Sequence, residues 1–205
     1  LAGGLTAGFP AGMVLSNLLP IVLIALLIAL GLWKAEKAMV LGFAAFGKFV
    51  VAVVTIGLAA AGVEALTGYA LIPGMAPISE GFETVGEIAI VLAGAFPLVH
   101  LLTKLLRRPL ASVGKLLGIN DAAAAGLIAS LANSIATFGL VKDMNPRGKV
   151  VNIAFAVSAA FVFGDHLGFA AGFAPEVLPA MIVGKLVGGV SAIAVALLLT
   201  KKDKL

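Results

Sequence analysis

Apolar residues run along this chain in blocks of about 20, the length that crosses a bilayer core, and polar residues fall between the blocks. The first clear block is 13–33, with Ser16, Asn17 and Pro20 in its early part. Lys34 and Lys37 close it with a short turn, and 38–66 follows with Lys48 inside it. Residues 67–79 hold Pro73-Gly74 and Pro77 and no Lys or Arg, which predicts a loop. A third block, 80–106, opens on Glu80, Glu83 and Glu87 and ends in Lys104, Arg107 and Arg108. Residues 109–118 are short and amphipathic, as expected of a helix lying at the interface. Asn120-Asp121 is a helix-start signal for the apolar block 122–141. A basic loop at 142–149 leads into 150–173, and 175–199 is the last block, ending in Lys201, Lys202 and Lys204. Residues 1–12 are Gly-rich and too broken to span; they suit the tail of a helix begun further upstream.

Charge decides how block 122–141 lies. If it crosses, two basic clusters fall on the face opposite the others. If it enters and returns, Lys34/Lys37, Lys104/Arg107/Arg108, Lys115, Lys142/Arg147/Lys149 and the C-terminal lysines share one face. The positive-inside rule selects the second arrangement. A re-entrant segment is tolerated only where protein or a water-filled cavity surrounds it, so it implies a cavity. The expected fold is all-α: one polytopic membrane domain over 1–205, with about five transmembrane helices, one re-entrant hairpin and a short interfacial helix.

Composition agrees. Of 205 residues 61% are hydrophobic and 12% charged, against about 25% charged in soluble domains, so the chain cannot cover a water-facing surface. The net charge of +4 sits at block ends, where it reads as a topology signal and not as a nucleic-acid footprint. There is no cysteine, which excludes disulfides and thiol chemistry. His100 and His166 are too far apart, with no ligand spacing around them, to indicate a metal. No phosphate-binding glycine motif, nucleophile elbow or internal duplication is found, and no cofactor is expected.

Polar groups inside apolar blocks are expensive and tend to mark pathways. Ser130, Asn133, Ser134 and Thr137 recur at i, i+3, i+4 and i+7. On a continuous helix they make one polar stripe, which could glue helices together; at a break they become a hairpin tip that could meet a solute. Asp165 and His166 stand inside 150–173. Asp165 suits either a substrate cation or a salt bridge to Lys185 or Lys48, and His166 either the same site or packing. Gly164, Gly168 and Gly172 form a small-residue seam beside them. Glu83 belongs with the acids that suit a first helical turn, whereas Glu87 lies deeper and is the better binding candidate. Glu83, Lys48 and Lys185 complete a set of charges able to exchange partners and open a carboxylate to an incoming cation.

The same stretch carries a resemblance. Ala132-Asn133-Ser134, Lys142-Asp143-Met144, Arg147-Gly148-Lys149 and Phe163-Gly164-Asp165-His166-Leu167-Gly168, with Pro73-Gly74-Met75-Ala76-Pro77 and 91–97 upstream, resemble the ethanolamine permease family of bacterial ethanolamine utilisation. Family members are roughly twice as long, and this chain is similar to their C-terminal half. The resemblance implies transport of ethanolamine across the bacterial inner membrane, with basic loops and C-terminus cytoplasmic, and no enzymatic activity. The implied partners are ethanolamine, the lipid bilayer, the N-terminal half of the transporter and, as an open option, further copies of the chain; nucleic acid is not among them. A nucleoside carrier and an intramembrane enzyme using Asp165 and His166 are the rival readings. The first should show an aromatic platform near the hairpin, and the second a further catalytic group converging on the pair.

Overall fold

In lipid every backbone polar group needs a partner within the protein, and a helix supplies it locally. The computed structural model meets that demand with helices alone among the described residues. It describes residues 1–200 and, of their side chains, all but those at 95, 96, 98, 99, 102, 103, 106–111 and 113. Lys201, Lys202, Lys204 and the side chains of Arg107 and Arg108, which enter the charge argument, lie outside the described residues. The helices are α1 (Ala2–Thr6), α2 (Ala11–Thr67), α3 (Ile78–Leu117), α4 (Asp121–Ala132), α5 (Ser134–Leu140), α6 (Pro146–Ala159), α7 (Asp165–Phe173) and α8 (Leu178–Leu199). Two of the described helical segments, Ala11–Thr67 and Pro175–Leu199, are long and apolar enough to cross a membrane.

The chain divides into two units, Gly12–Glu83 and Leu1–Ala11 with Thr84–Leu205. In the first, α2 turns a corner at Ala35, whose backbone is non-helical (φ −143°, ψ 46°). Gly31 faces Met39 across that corner, at the turn expected from Lys34 and Lys37. Ser16 donates to the Met13 carbonyl (2.9 Å), a polar group satisfied on its own helix. The loop that follows uses Gly68 and Gly74 at positive φ, where a side chain would be strained.

In the second unit the core lies where α4, α6 and α8 meet, around Ala123, Leu127, Met144, Val151, Phe155, Ala159 and Ala196. Small residues set the spacing. A Cβ at Gly189 would fall 2.6 Å from Ala159 and 2.8 Å from Phe155, so α6 and α8 approach as closely as glycine allows. Gly3 of α1 meets Ala180 and Gly184 of α8 in the same way.

Two expectations are corrected. Residues 109–118 do not form a separate interfacial helix. The helical backbone of α3 continues through Pro109 to Leu117 and stops at Gly118, which takes φ 72°. A proline costs the helix one hydrogen bond without forcing it to end, and the left-handed glycine is the true stop. Residues 150–173 are not one helix either. The α-helix ends at Ala159 and restarts at Asp165.

Candidate functional site

The chain reverses direction at Asn133. Its extended backbone (φ −157°, ψ 126°) ends α4, and its Oδ1 accepts the Ile135 N–H (2.7 Å), which starts α5. The Thr137 hydroxyl then donates to the Gly126 carbonyl (3.0 Å), a bond that a continuous helix cannot make across eleven positions. The arms α4 and α5 therefore lie against each other. Ser130 and Thr137 are fully buried. Ser130 donates to the Leu127 carbonyl (2.9 Å), so both hydroxyls are engaged inside the hairpin.

Two asparagines close the open end. Asn120 Oδ1 caps α4 by accepting the Ala123 N–H (3.2 Å), and Asn145 Oδ1 caps α6 by accepting the Gly148 N–H (3.0 Å). Each also reaches across. The Asn120 N–H donates to Asn145 Oδ1 and the Asn145 N–H to Asn120 Oδ1, both at 3.3 Å. Asn120 Nδ2 donates to the Asp143 carbonyl (2.8 Å) and Asn145 Nδ2 to the Gly118 carbonyl (3.1 Å). Caps that satisfy helix ends are ordinary; the reciprocal exchange also starts α4 and α6 side by side, pointing the same way. Asn152, fully buried, ties them further along, with Nδ2 donating to the Ala123 and Gly148 carbonyls (2.9 Å each). Its Oδ1 has no hydrogen-bond partner and packs on Gly126, where a Cβ would fall 2.5 Å away.

Because α4 and α6 run in register, their ends meet. The Phe161 N–H donates to the Ser130 carbonyl and the Phe163 N–H to the Leu131 carbonyl, both at 2.9 Å. Gly164 lies against the Ala132 carbonyl so closely that any side chain there would collide with it. Phe161 holds φ 60°, a strained conformation for an aromatic residue that surrounding bonds must over-determine. The two interruptions thus brace each other. The bracing brings Asn133-Ser134, next to Ala132, together with Asp165-His166, next to Gly164.

The groups gathered there differ from the buried hydroxyls. Among the described residues the Ser134 hydroxyl, the Asn133 Nδ2 group and the Asp165 carboxylate have no hydrogen-bond or ion-pair partner. His166 packs its ring near Phe161, centroids 5.4 Å apart. Asp165 opens α7, where the helix dipole favours its negative charge. Lys185 lies on α8, and its backbone carbonyl accepts the Ser158 hydroxyl (3.3 Å) from the last turn of α6. Among the described residues the Lys185 ammonium is in no ion pair either, so the bridge to Lys185, one of the roles open to Asp165, is not formed.

Other candidates stand further off. The glycine seam takes α3: Gly168 meets Ile88 and Leu92, and Gly172 meets the Glu87 carboxylate (Cβ position 3.0 Å from Oε2). Glu87 is therefore at the far end of α7 from Asp165, about 10 Å away at helical rise. Lys48 and Glu83 are exposed and belong to the unit Gly12–Glu83; neither is in an ion pair among the described residues. The described residues hold no group of three or more His, Asp or Glu side chains able to bind a metal.

The family model described as "Ethanolamine utilisation protein, EutH" matches residues 1–199. The chain is similar to a protein named "Probable ethanolamine permease EutH" of Listeria monocytogenes, 58% identical over 98% of this chain and 54% of that protein. A protein of the same name from Salmonella typhimurium is 50% identical over 95% of this chain and 50% of its own length. "Uncharacterized protein YxeR" of Bacillus subtilis is 52% identical over 98% of this chain and 54% of its length. The chain thus spans about half the length of the curated relatives it matches. No solved structure matches.

Proposed function

The chain belongs to the EutH family of ethanolamine utilisation proteins, and from that premise we propose that it carries the solute-binding part of a bacterial inner-membrane ethanolamine permease. The observation behind this reading is the meeting of two helix interruptions that leaves Asp165, Asn133 and Ser134 with unengaged polar groups. Broken helices that line a cavity are the recurrent binding element of secondary transporters. The relatives' names, those of permeases, favour transport over catalysis.

Ethanolamine is a small amino alcohol, protonated at neutral pH. Stripping water from its ammonium costs several kcal/mol unless a carboxylate or carbonyls replace it. Asp165 supplies the charge in this reading, and the Ala132 carbonyl beside it a further acceptor. Asn133 Nδ2 and the Ser134 hydroxyl address the substrate's hydroxyl. His166 forms the wall with Phe161, and Glu87 offers a second carboxylate further along α7. Ser130 and Thr137 serve the site by holding the hairpin arms together. The membrane arrangement follows the charge pattern: about five spans, the hairpin α4–α5 entering from and returning to the cytoplasmic side, and basic segment ends facing the cytoplasm. At about 18 Å, α4 reaches roughly half-way into the hydrocarbon.

The test is uptake of labelled ethanolamine into proteoliposomes. Asp165→Asn should abolish saturable uptake while the protein stays folded. Asn133→Ala should raise the half-saturation concentration up to about tenfold, the equivalent of one lost neutral hydrogen bond. Uptake unchanged by Asp165→Asn removes the carboxylate from the site.

A further inference from the structure

Lys185 is not explained by binding ethanolamine. An ammonium near the site repels the substrate's own ammonium, and a lone Lys inside an apolar span is costly to keep. Yet Lys185 sits within α8, in a segment long and apolar enough to cross a membrane, half-buried and in no ion pair among the described residues. Asp165, exposed, is equally unpaired. The two do not meet; His166 stands within electrostatic range of both, the Asp165 carboxylate and the Lys185 ammonium. The surroundings hold Lys185 near the break. Ser158, the residue before the last of α6, bonds its carbonyl, and Gly188, one turn further along α8, takes the Ser158 side chain against its Cα.

A carboxylate at the start of α7 and an ammonium on α8, held beside the end of α6, make a site with two poles when they do not pair. A monovalent amino alcohol satisfies one of them. A small zwitterion satisfies both, with its ammonium toward Asp165 and its carboxylate toward Lys185. We propose that Lys185 is an anion-binding pole of the site, and that the protein also takes small zwitterionic amino acids whose ammonium occupies the place of ethanolamine's. This inference rests on Asp165 receiving the ammonium. Serine is the natural probe, being ethanolamine with a carboxylate on the carbon that bears the ammonium. An unpaired ammonium half-buried in an apolar segment is costly to keep, so a ligand that neutralises both poles gains over one that neutralises only Asp165.

The experiment is competition of unlabelled serine against labelled ethanolamine uptake by the full chain in proteoliposomes. Serine should compete in the unmodified protein. Lys185→Met should lower the ratio of serine affinity to ethanolamine affinity at least tenfold, and Lys185→Arg should keep that ratio. The comparison is a ratio within one preparation, so a smaller folded fraction does not imitate it. Absence of serine competition in the unmodified protein overturns the inference even if Lys185→Met fails to fold, and so does competition that survives Lys185→Met. Failure of the underlying site is distinct: it appears as ethanolamine uptake untouched by Asp165→Asn.

Discussion

Gly164 is where the two interruptions touch, and its lack of a side chain is what lets them. Its Cα lies over the Ala132 carbonyl, so any Cβ forces the hairpin tip away from α7. Gly139, in contrast, has nothing within 4 Å of its Cβ position. Gly164→Ala should therefore remove most ethanolamine uptake and lower the melting temperature, with a loss of about 1–3 kcal/mol, as overpacking costs elsewhere. Gly139→Ala should leave uptake intact. Equal behaviour of the two variants in uptake and in a thermal shift assay refutes a braced tip. At this scale the sequence was partly readable. Asn120-Asp121 announces a helix start by residue type, and Asn133-Ser134 marks a break because both residues compete for backbone groups. Asn152 was overlooked. A single amide in an apolar helix always needs partners, but which carbonyls it reaches depends on a helix 29 residues away in sequence, and no local pattern contains that. The unformed Asp165–Lys185 bridge was unreadable for the same reason: opposite charges at like depth suggest a pair, and only the placement of α7 and α8 decides whether they meet.

Between elements, the asparagine pair decides whether α4 and α6 start together. Asn120→Ala removes the cap of α4 and the cross-bond that Asn120 Oδ1 accepts from the Asn145 N–H; Asn145→Ala removes the cap of α6 and the cross-bond that Asn145 Oδ1 accepts from the Asn120 N–H, and the two sets belong to one network. Asn120→Ala and Asn145→Ala should each cost about 0.5–2 kcal/mol, the range for a lost cap. The double variant should cost less than the two together, with a coupling of about 0.5–3 kcal/mol typical of contacting residues. Strict additivity in denaturation of the four proteins would show that the two caps act independently and that the pair does not work as one network. The interruption after α6 was hidden from the sequence. Residues 159–163 read Ala-Ala-Phe-Val-Phe and contain no Pro or Gly, so nothing local ends a helix there. Carbonyls of Ser130 and Leu131 take the N–H groups that the helix gives up; the break exists because another broken helix lies beside it. Only Gly164-Asp165, a glycine followed by a first-turn acid, hinted that a helix restarts.

For the whole molecule, the direction of each segment through the membrane follows from charge, and the hairpin is the pivot of that argument. The bonds joining Asn120 to Asn145 set the entry and exit of α4–α5 side by side. A hairpin closed in this way cannot deliver its two ends to opposite faces of a bilayer about 30 Å thick. In the proposed arrangement Lys115 before it and Lys142, Arg147 and Lys149 after it share one face, in keeping with the preference of cationic loops for the cytoplasm. The loop 67–79, free of Lys and Arg, should face outward. The native chain contains no cysteine, so single cysteines can be labelled without background. Leu116 and Lys142, both exposed, bracket the hairpin; Ile72, 42% exposed, represents the loop. In right-side-out vesicles a membrane-impermeant maleimide should modify Ile72→Cys and spare Leu116→Cys and Lys142→Cys, and inverted vesicles should give the opposite pattern. If Leu116→Cys and Lys142→Cys respond from different sides, 122–141 crosses the membrane, the reversal at Asn133 does not hold in the bilayer, and every segment after it changes direction.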